Sequence, residues 1–167
     1  MSKTLFPTYE PTNETLYIRP SFSIDHEAYV KEMQQNYKIK QPPNQIIHTA
    51  CLDGGASYDG RKSAVIHNTG IQSKIPIPIN PNQNLYAFPT HSPQSVDNIW
   101  IFFHNVYIYK KHPTDSTQSI IQFVNRETLT VPISFATLER QMHRTAYCVF
   151  RFGDGNSSAH RENKSVN

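Results

Sequence analysis

Apolar positions along this chain fall in short blocks broken by proline and polar clusters, and most blocks read as strands rather than helices. Residues 15–19 predict a strand closed by Pro20. Residues 26–37 place Tyr29, Val30, Met33 and Tyr37 at i, i+1, i+4 and i+8, which allows a short helix, with a strand as the other reading. A proline turn at 41–44 precedes an apolar run at 45–52 that reads as a strand. Ile75, Ile77 and Ile79 alternate with Pro76 and Pro78, and prolines that cannot donate to a ladder mark an edge strand. A short strand at 85–88 ends at Pro89. The run 99–109, IWIFFHNVYIY, is apolar on both faces and predicts the central strand of its sheet. Residues 119–124 and 128–133 predict a hairpin about Asn125-Arg126-Glu127. A helix from 135 to 147 follows, with Ser134 as N-cap and Ile133 and Leu138 as a hydrophobic staple. Its apolar stripe is Phe135, Leu138, Met142 and Ala146, and Arg140, His143, Arg144 and Tyr147 form a second stripe beside it. Residues 148–152 read as a closing strand.

The stretch 54–63, GGASYDGRKS, carries the densest candidate chemistry. Residues 57–68 suit a helix stopped by Gly70, so Arg61 and Lys62 fall near its first turn, after a glycine entry. Free N–H groups and a partial positive charge at such an end favour anions, phosphate above all. A nucleotide-binding phosphate loop is one residue out of register, because Arg61 stands between Gly60 and Lys62. A nucleophile elbow fails as well, since Gly60 is three residues after Ser57 rather than two. The plain alternative is an N-cap serine, a tight turn and a solvated basic pair.

Composition sharpens the fold class. The chain has 167 residues, with nine Tyr, nine Phe and twelve Pro. That favours a single α+β domain, β-rich, with two or three helices packed on a mainly antiparallel sheet. The expected organisation is a frayed segment at 1–14, a folded domain at 15–152 and a disordered polar tail at 153–167. Net charge is +3. Residues 1–50 balance five bases with five acids, so the whole excess lies in 51–167. Two distant cysteines, no apolar leader and no apolar run near ~18 residues point to the cytosol, with both thiols reduced and no membrane partner.

Eight histidines invite a metal reading, but His48-x-x-Cys51 is a lone pair, so no metal site and no cofactor is expected. The acidic residues are scattered, and nothing supports catalysis. Arg140 and Arg144, one turn apart, can reach successive phosphates or a groove. Phe102, Phe103, Tyr107 and Tyr109 could stack single-stranded bases, although such a run is more often core.

One ordered set of motifs carries a resemblance. It runs Cys51…Gly55-Ala56-Ser57-Tyr58-x-Gly60-Arg61-Lys62, then Ile79-x-Pro81…Asn84-x-Tyr86-x-Phe88-Pro89-Thr90, then Trp100-Ile101. It closes with Leu129-x-Val131-Pro132-Ile133-Ser134 and Gln141-x-His143-Arg144-Thr145-Ala146. Over residues 51–150 this resembles the ComK competence transcription factors of Gram-positive bacteria. The resemblance implies a nucleoid-associated, sequence-specific DNA-binding activator of DNA-uptake genes, not an enzyme. It also implies a homo-oligomer on A/T-rich promoter duplexes, read through the minor groove, and a Clp protease adaptor as partner. The ending GDGNSSAHRENKSVN lacks the apolar tail element that such an adaptor would take. The candidate DNA contacts are Arg61, Lys62, Arg140 and Arg144, with His143 and Lys74 behind them. A single-strand binding module built on the aromatic run is the alternative, and a nucleotide-dependent enzyme built on 55–63 is a third class.

Overall fold

The structure, a computed structural model, describes residues 5–153. Among them the chain runs β1 (Leu5–Phe6), β2 (Thr15–Pro20), β3 (Ala28–Glu32), β4 (Asn36–Ile39), α1 (Pro43–Asp53) and α2 (Tyr58–Thr69). It continues through β5 (Ile77–Asn80), β6 (Leu85–Pro89), β7 (Trp100–Phe102), β8 (Val106–Lys111), β9 (Ser119–Phe123), β10 (Thr128–Val131) and α3 (Phe135–Phe152). A seven-stranded sheet has the order β1-β4-β3-β2-β7-β6-β5, antiparallel except where β1 meets β4. A second antiparallel sheet has the order β10-β9-β8. This is the α+β architecture expected from composition.

The large sheet buries both of its faces. Trp100 and Phe102 of β7 join one core with Ile46, Ile47, Val65 and Cys148 from the helices. Ile101 between them joins a second core with Ile121, Phe123, Val131 and Leu138. Side chains alternate across a strand, so a strand between two cores must be apolar at every position. Each fully buried Ile or Phe here contributes about 1.5–3 kcal/mol. Helix α3 spans the boundary, with Leu138 in one core and Cys148 in the other.

Four expectations need correction. Residues 45–52 are not a strand but most of α1. Ile46, Ile47, Ala50 and Cys51 are its buried residues, at i, i+1, i+4 and i+5 on one helical face, and Pro43 sits in the first turn, where a missing N–H costs nothing. The run 99–109 is not one strand: a single 3-10 turn at Phe103–Asn105 breaks it, and β8 passes to the other sheet. Buried Asn105 pins the break, its Nδ2 donating to Asn13 O and Thr15 O, both at 2.8 Å. Residues 148–152 are not a strand but the end of α3. The frayed segment at 1–14 does not extend over residues 5–14, since Leu5 and Phe6 pair with Lys38 and Ile39 and Lys40 N–H donates to Phe6 O at 3.0 Å.

For residues 26–37 the strand reading holds, because β3 and β4 pair as a hairpin. The hairpin about 125–127 forms, with Arg126 at φ 73°. Ser134 caps α3 by accepting from Thr137 N–H at 3.3 Å. The polar tail, and with it any adaptor-docking element, lies outside the described residues from 154 onward.

Candidate nucleic-acid interface

Two short connections decide where the cations of this chain stand. The first, 54–57, joins α1 to α2. A Cβ on Gly54 would come within 2.6 Å of Ile79 O, so only glycine lets this turn lie against β5. Ser57 caps α2 by accepting from Gly60 N–H at 3.0 Å. Arg61 then folds back, and its Nη2 donates to Gly54 O at 2.9 Å. Its Nε is buried without a hydrogen-bond partner. Because a helix precedes the glycines, the strand–loop–helix setting of a phosphate loop does not exist here.

The second connection, 70–76, joins α2 to β5. Gly70 closes α2 at φ 76°, its N–H donating to Ile66 O at 2.9 Å. Lys74 holds φ 47°, a left-handed value that costs a non-glycine residue energy. A concave surface of about 310 Å³ lies between this loop, the loop after β6 and α2. Lys62, Gln72, Ser73, Lys74, Ser92 and Gln94 are among its lining.

Helix α3 flanks that concavity. Arg144 Nη1 donates to Ser73 O at 3.2 Å and to Gln141 Oε1 at 3.4 Å. Arg140 stands one turn earlier and is exposed. Two turns on, Arg151 Nη2 donates to Asn68 Oδ1 of α2 at 3.0 Å. Arg140, Arg144, Tyr147 and Arg151 therefore lie on one flank at i, i+4, i+7 and i+11. The buried residues of α3 are Leu138, Gln141, Thr145 and Cys148. The expected apolar stripe is thus rotated: Phe135 and Met142 are half-buried, and Ala146 is exposed. The rotation is possible because the two inward polar side chains are satisfied, Thr145 Oγ1 donating to Gln141 O at 2.7 Å and Gln141 Nε2 donating to the carbonyls of Lys74 and Pro89.

Of the six candidate residues, Lys62 and Lys74 line the concavity, Arg144 reaches its Ser73 wall from α3, and Arg140 stands exposed one turn before Arg144. Arg61 braces the turn before α2. His143 is exposed about 100° round α3 from Arg144, off the flank that meets the loop. Burial, and then the like charge of Arg140, pull the pKa of Arg144 below the ordinary arginine value. An arginine stays charged under such shifts. His91 stands near Lys74; burial lowers its pKa, Asp97 opposes that, and Lys74 lowers it further. Among the described residues the ion pairs are Asp25–His26 and Lys31–Glu127, and neither lies at this surface. A bound anion would relieve the repulsion between these crowded cations.

The aromatic run does not make a platform. Phe102 is core, Phe103 packs on one core and Tyr109 on the other, and only Tyr107 stands open. Arg151 and His91 are not marked by any motif in the sequence, and Gln141 is marked only as part of the resemblance, with no role. Extending the helical period past residue 147 would have found Arg151, since 140, 144 and 151 share a flank.

The family model described as ComK protein matches residues 6–156. The chain belongs to the ComK family. Over 149 residues this ComK-family chain is 31% identical to the Competence transcription factor of Bacillus subtilis (strain 168), across 88% of this chain and 76% of that protein. No solved structure is detectably similar to it.

Proposed function

We propose that this protein is a sequence-specific transcriptional activator of competence genes that binds A/T-rich duplex DNA as a homo-oligomer, mainly through the minor groove. The observation that carries the reading is that Lys62 of α2 and Lys74 of the following loop line one concavity, while Arg144 of α3 reaches the same loop through Ser73 O and Arg140 stands one turn before it. Membership of the ComK family and the similarity to a competence transcription factor support it. So does electrostatics: A-tracts narrow the minor groove and deepen its negative potential, which draws Arg and Lys inward. Such an activator works in the cytoplasm, on the nucleoid. No described helix is long and apolar enough to cross a membrane.

A major-groove reading has one observation in its favour. Helices α1 and α2 are joined by a four-residue glycine turn, as in helix-turn-helix units, with Lys62 early on the second helix. The minor-groove reading is preferred because Lys74, Arg140 and Arg144 lie off α2 and would gain nothing from its insertion.

The test is a titration of A/T-box duplexes, G·C duplexes and single strands in rising salt, with groove-selective competitors. The A/T duplex should win, and log K should fall with log salt at roughly −0.9 per phosphate neutralised. A minor-groove ligand should displace the protein, and major-groove blockers should not. Preference for single strands, a flat salt response or displacement by major-groove blockers alone would overturn the reading.

A further inference from the structure

Gln141 is a buried amide in the middle of α3, 1% exposed. Its Nε2 donates to Lys74 O and to Pro89 O, both at 2.8 Å. Its Oε1 accepts from Arg144 Nη1, which also donates to Ser73 O. Both amide hydrogens and the oxygen are thus engaged, on one loop, one strand end and one arginine. An apolar side chain could fill the same space but would leave both carbonyls without this donor, so what the amide contributes beyond packing is what it holds.

The first carbonyl belongs to a residue that lines the basic concavity, and the second lies three residues before Ser92, which lines it from the other side. Lys74 lies in the 70–76 loop, and Pro89 ends β6 just before the loop carrying Ser92 and Gln94. Lys74 is also the residue at φ 47°, a conformation that persists only where the surroundings impose it. The bond from Gln141 to its carbonyl is such an imposition.

We infer that Gln141 is the positioning residue of the DNA-binding surface: from inside α3 it fixes the 70–76 loop, with the left-handed turn at Lys74, against the end of β6, so that Lys62, Lys74 and Arg144 meet one duplex together. This rests on the proposal that the duplex binds there. Gln141 itself touches no nucleic acid. It acts through Lys74 and Arg144.

The experiment is a double-mutant cycle on the full chain with an A/T-rich duplex. Gln141→Met keeps the volume but removes both donors. It should fold, weaken binding at least about fivefold, and make the salt slope shallower by roughly 0.9 for each phosphate no longer neutralised. Lys74→Ala should weaken native binding yet add less than about twofold in the Gln141→Met background, because the lysine is already out of place. Hydrogen exchange at 70–76 and 89–94 should quicken in Gln141→Met while exchange in β9 and β10 stays slow. Full additivity of the two substitutions, or unchanged binding by a folded Gln141→Met, overturns the role of Gln141 while leaving the DNA surface standing. Unchanged binding by both Lys62→Ala and Lys74→Ala overturns the surface and the positioning role together. If Gln141→Met does not fold, Gln141→Glu, which keeps the acceptor and the size, is read in the same cycle. Failure of both to fold assigns the amide to the core alone and overturns the inference.

Discussion

The turn before α2 and the loop after it both contain a glycine at positive φ, Gly55 at 102° and Gly70 at 76°, and a cation stands close to each, Arg61 on the helix after the first and Lys74 within the second. Before α2, the Gly54 carbonyl is left facing the first helical turn, and Arg61 reaches back to take it. After α2, the Lys74 carbonyl is claimed from behind by Gln141, so the lysine side chain has no backbone to serve and lines the concavity instead. In each connection one carbonyl is taken up by a side chain, at Gly54 by the cation itself and at Lys74 by Gln141. Adjacent positions can therefore differ completely, as Arg61 and Lys62 do.

The comparison breaks most readily at Gly54. Gly54→Ala drives a Cβ toward the Ile79 carbonyl, which is backbone and cannot swing aside. A loss of about 2–3 kcal/mol in urea unfolding is expected, with native DNA affinity in the fraction that stays folded. A fully stable alanine variant would show that the turn can lift off β5.

The paired substitution Lys62→Ala/Lys74→Ala should act in the opposite sense. Stability should stay within about ±0.5 kcal/mol per site, and the salt slope of duplex binding should become shallower by roughly 1.8. Early melting would place these lysines among the structural cations with Arg61.

Arg61→Ala sharpens the contrast. It removes one hydrogen bond to a backbone carbonyl, and about 1 kcal/mol of stability should go with it. Its salt slope should match the native one. A shallower slope at unchanged stability would transfer Arg61 to the exposed group.

The smallest effect concerns acid. Burial lowers the pKa of His91 and of His104 below the ordinary 6.5. The unfolded chain therefore takes up these protons first, so their contribution is present above about pH 6.5 and is lost as pH falls through the folded values. His91→Gln and His104→Gln should each flatten the stability profile on the acid side of that pH. An unchanged acid limb would mean that both rings are solvated in the folded state.

Elements marked by local chemistry were legible from the residues. Ser57 with Gly70, and Ser134 with the Ile133–Leu138 staple, announce α2 and α3 because caps are decided within a few residues. The strand assignment at 45–52 fails because paired apolar residues such as Ile46-Ile47 and Ala50-Cys51 suit a buried strand as well as a helix face. The run 99–109 hides a change of sheet, since both sheets bury apolar side chains there and only Asn105 breaks the pattern. At the candidate site, Lys62, Arg140 and Arg144 could be nominated from the sequence because they stand on a glycine-entry motif or a helical stripe, whereas Lys74 stands on neither. The role of Gln141 could not be read, because a polar residue on the buried face of a helix gives no hint of which carbonyls it serves. Those carbonyls belong to residues 52 and 67 positions away in the chain.

The outer strand β5 has one more consequence. It closes the seven-stranded sheet, and Pro76 and Pro78 leave gaps where a neighbouring chain would look for N–H groups. At the far margin, β1 is two residues long among the described residues. Two copies meeting edge to edge at these described margins would therefore find little backbone with which to zip their sheets into a continuous ribbon. Sheet-to-sheet aggregation along them is disfavoured by the same features.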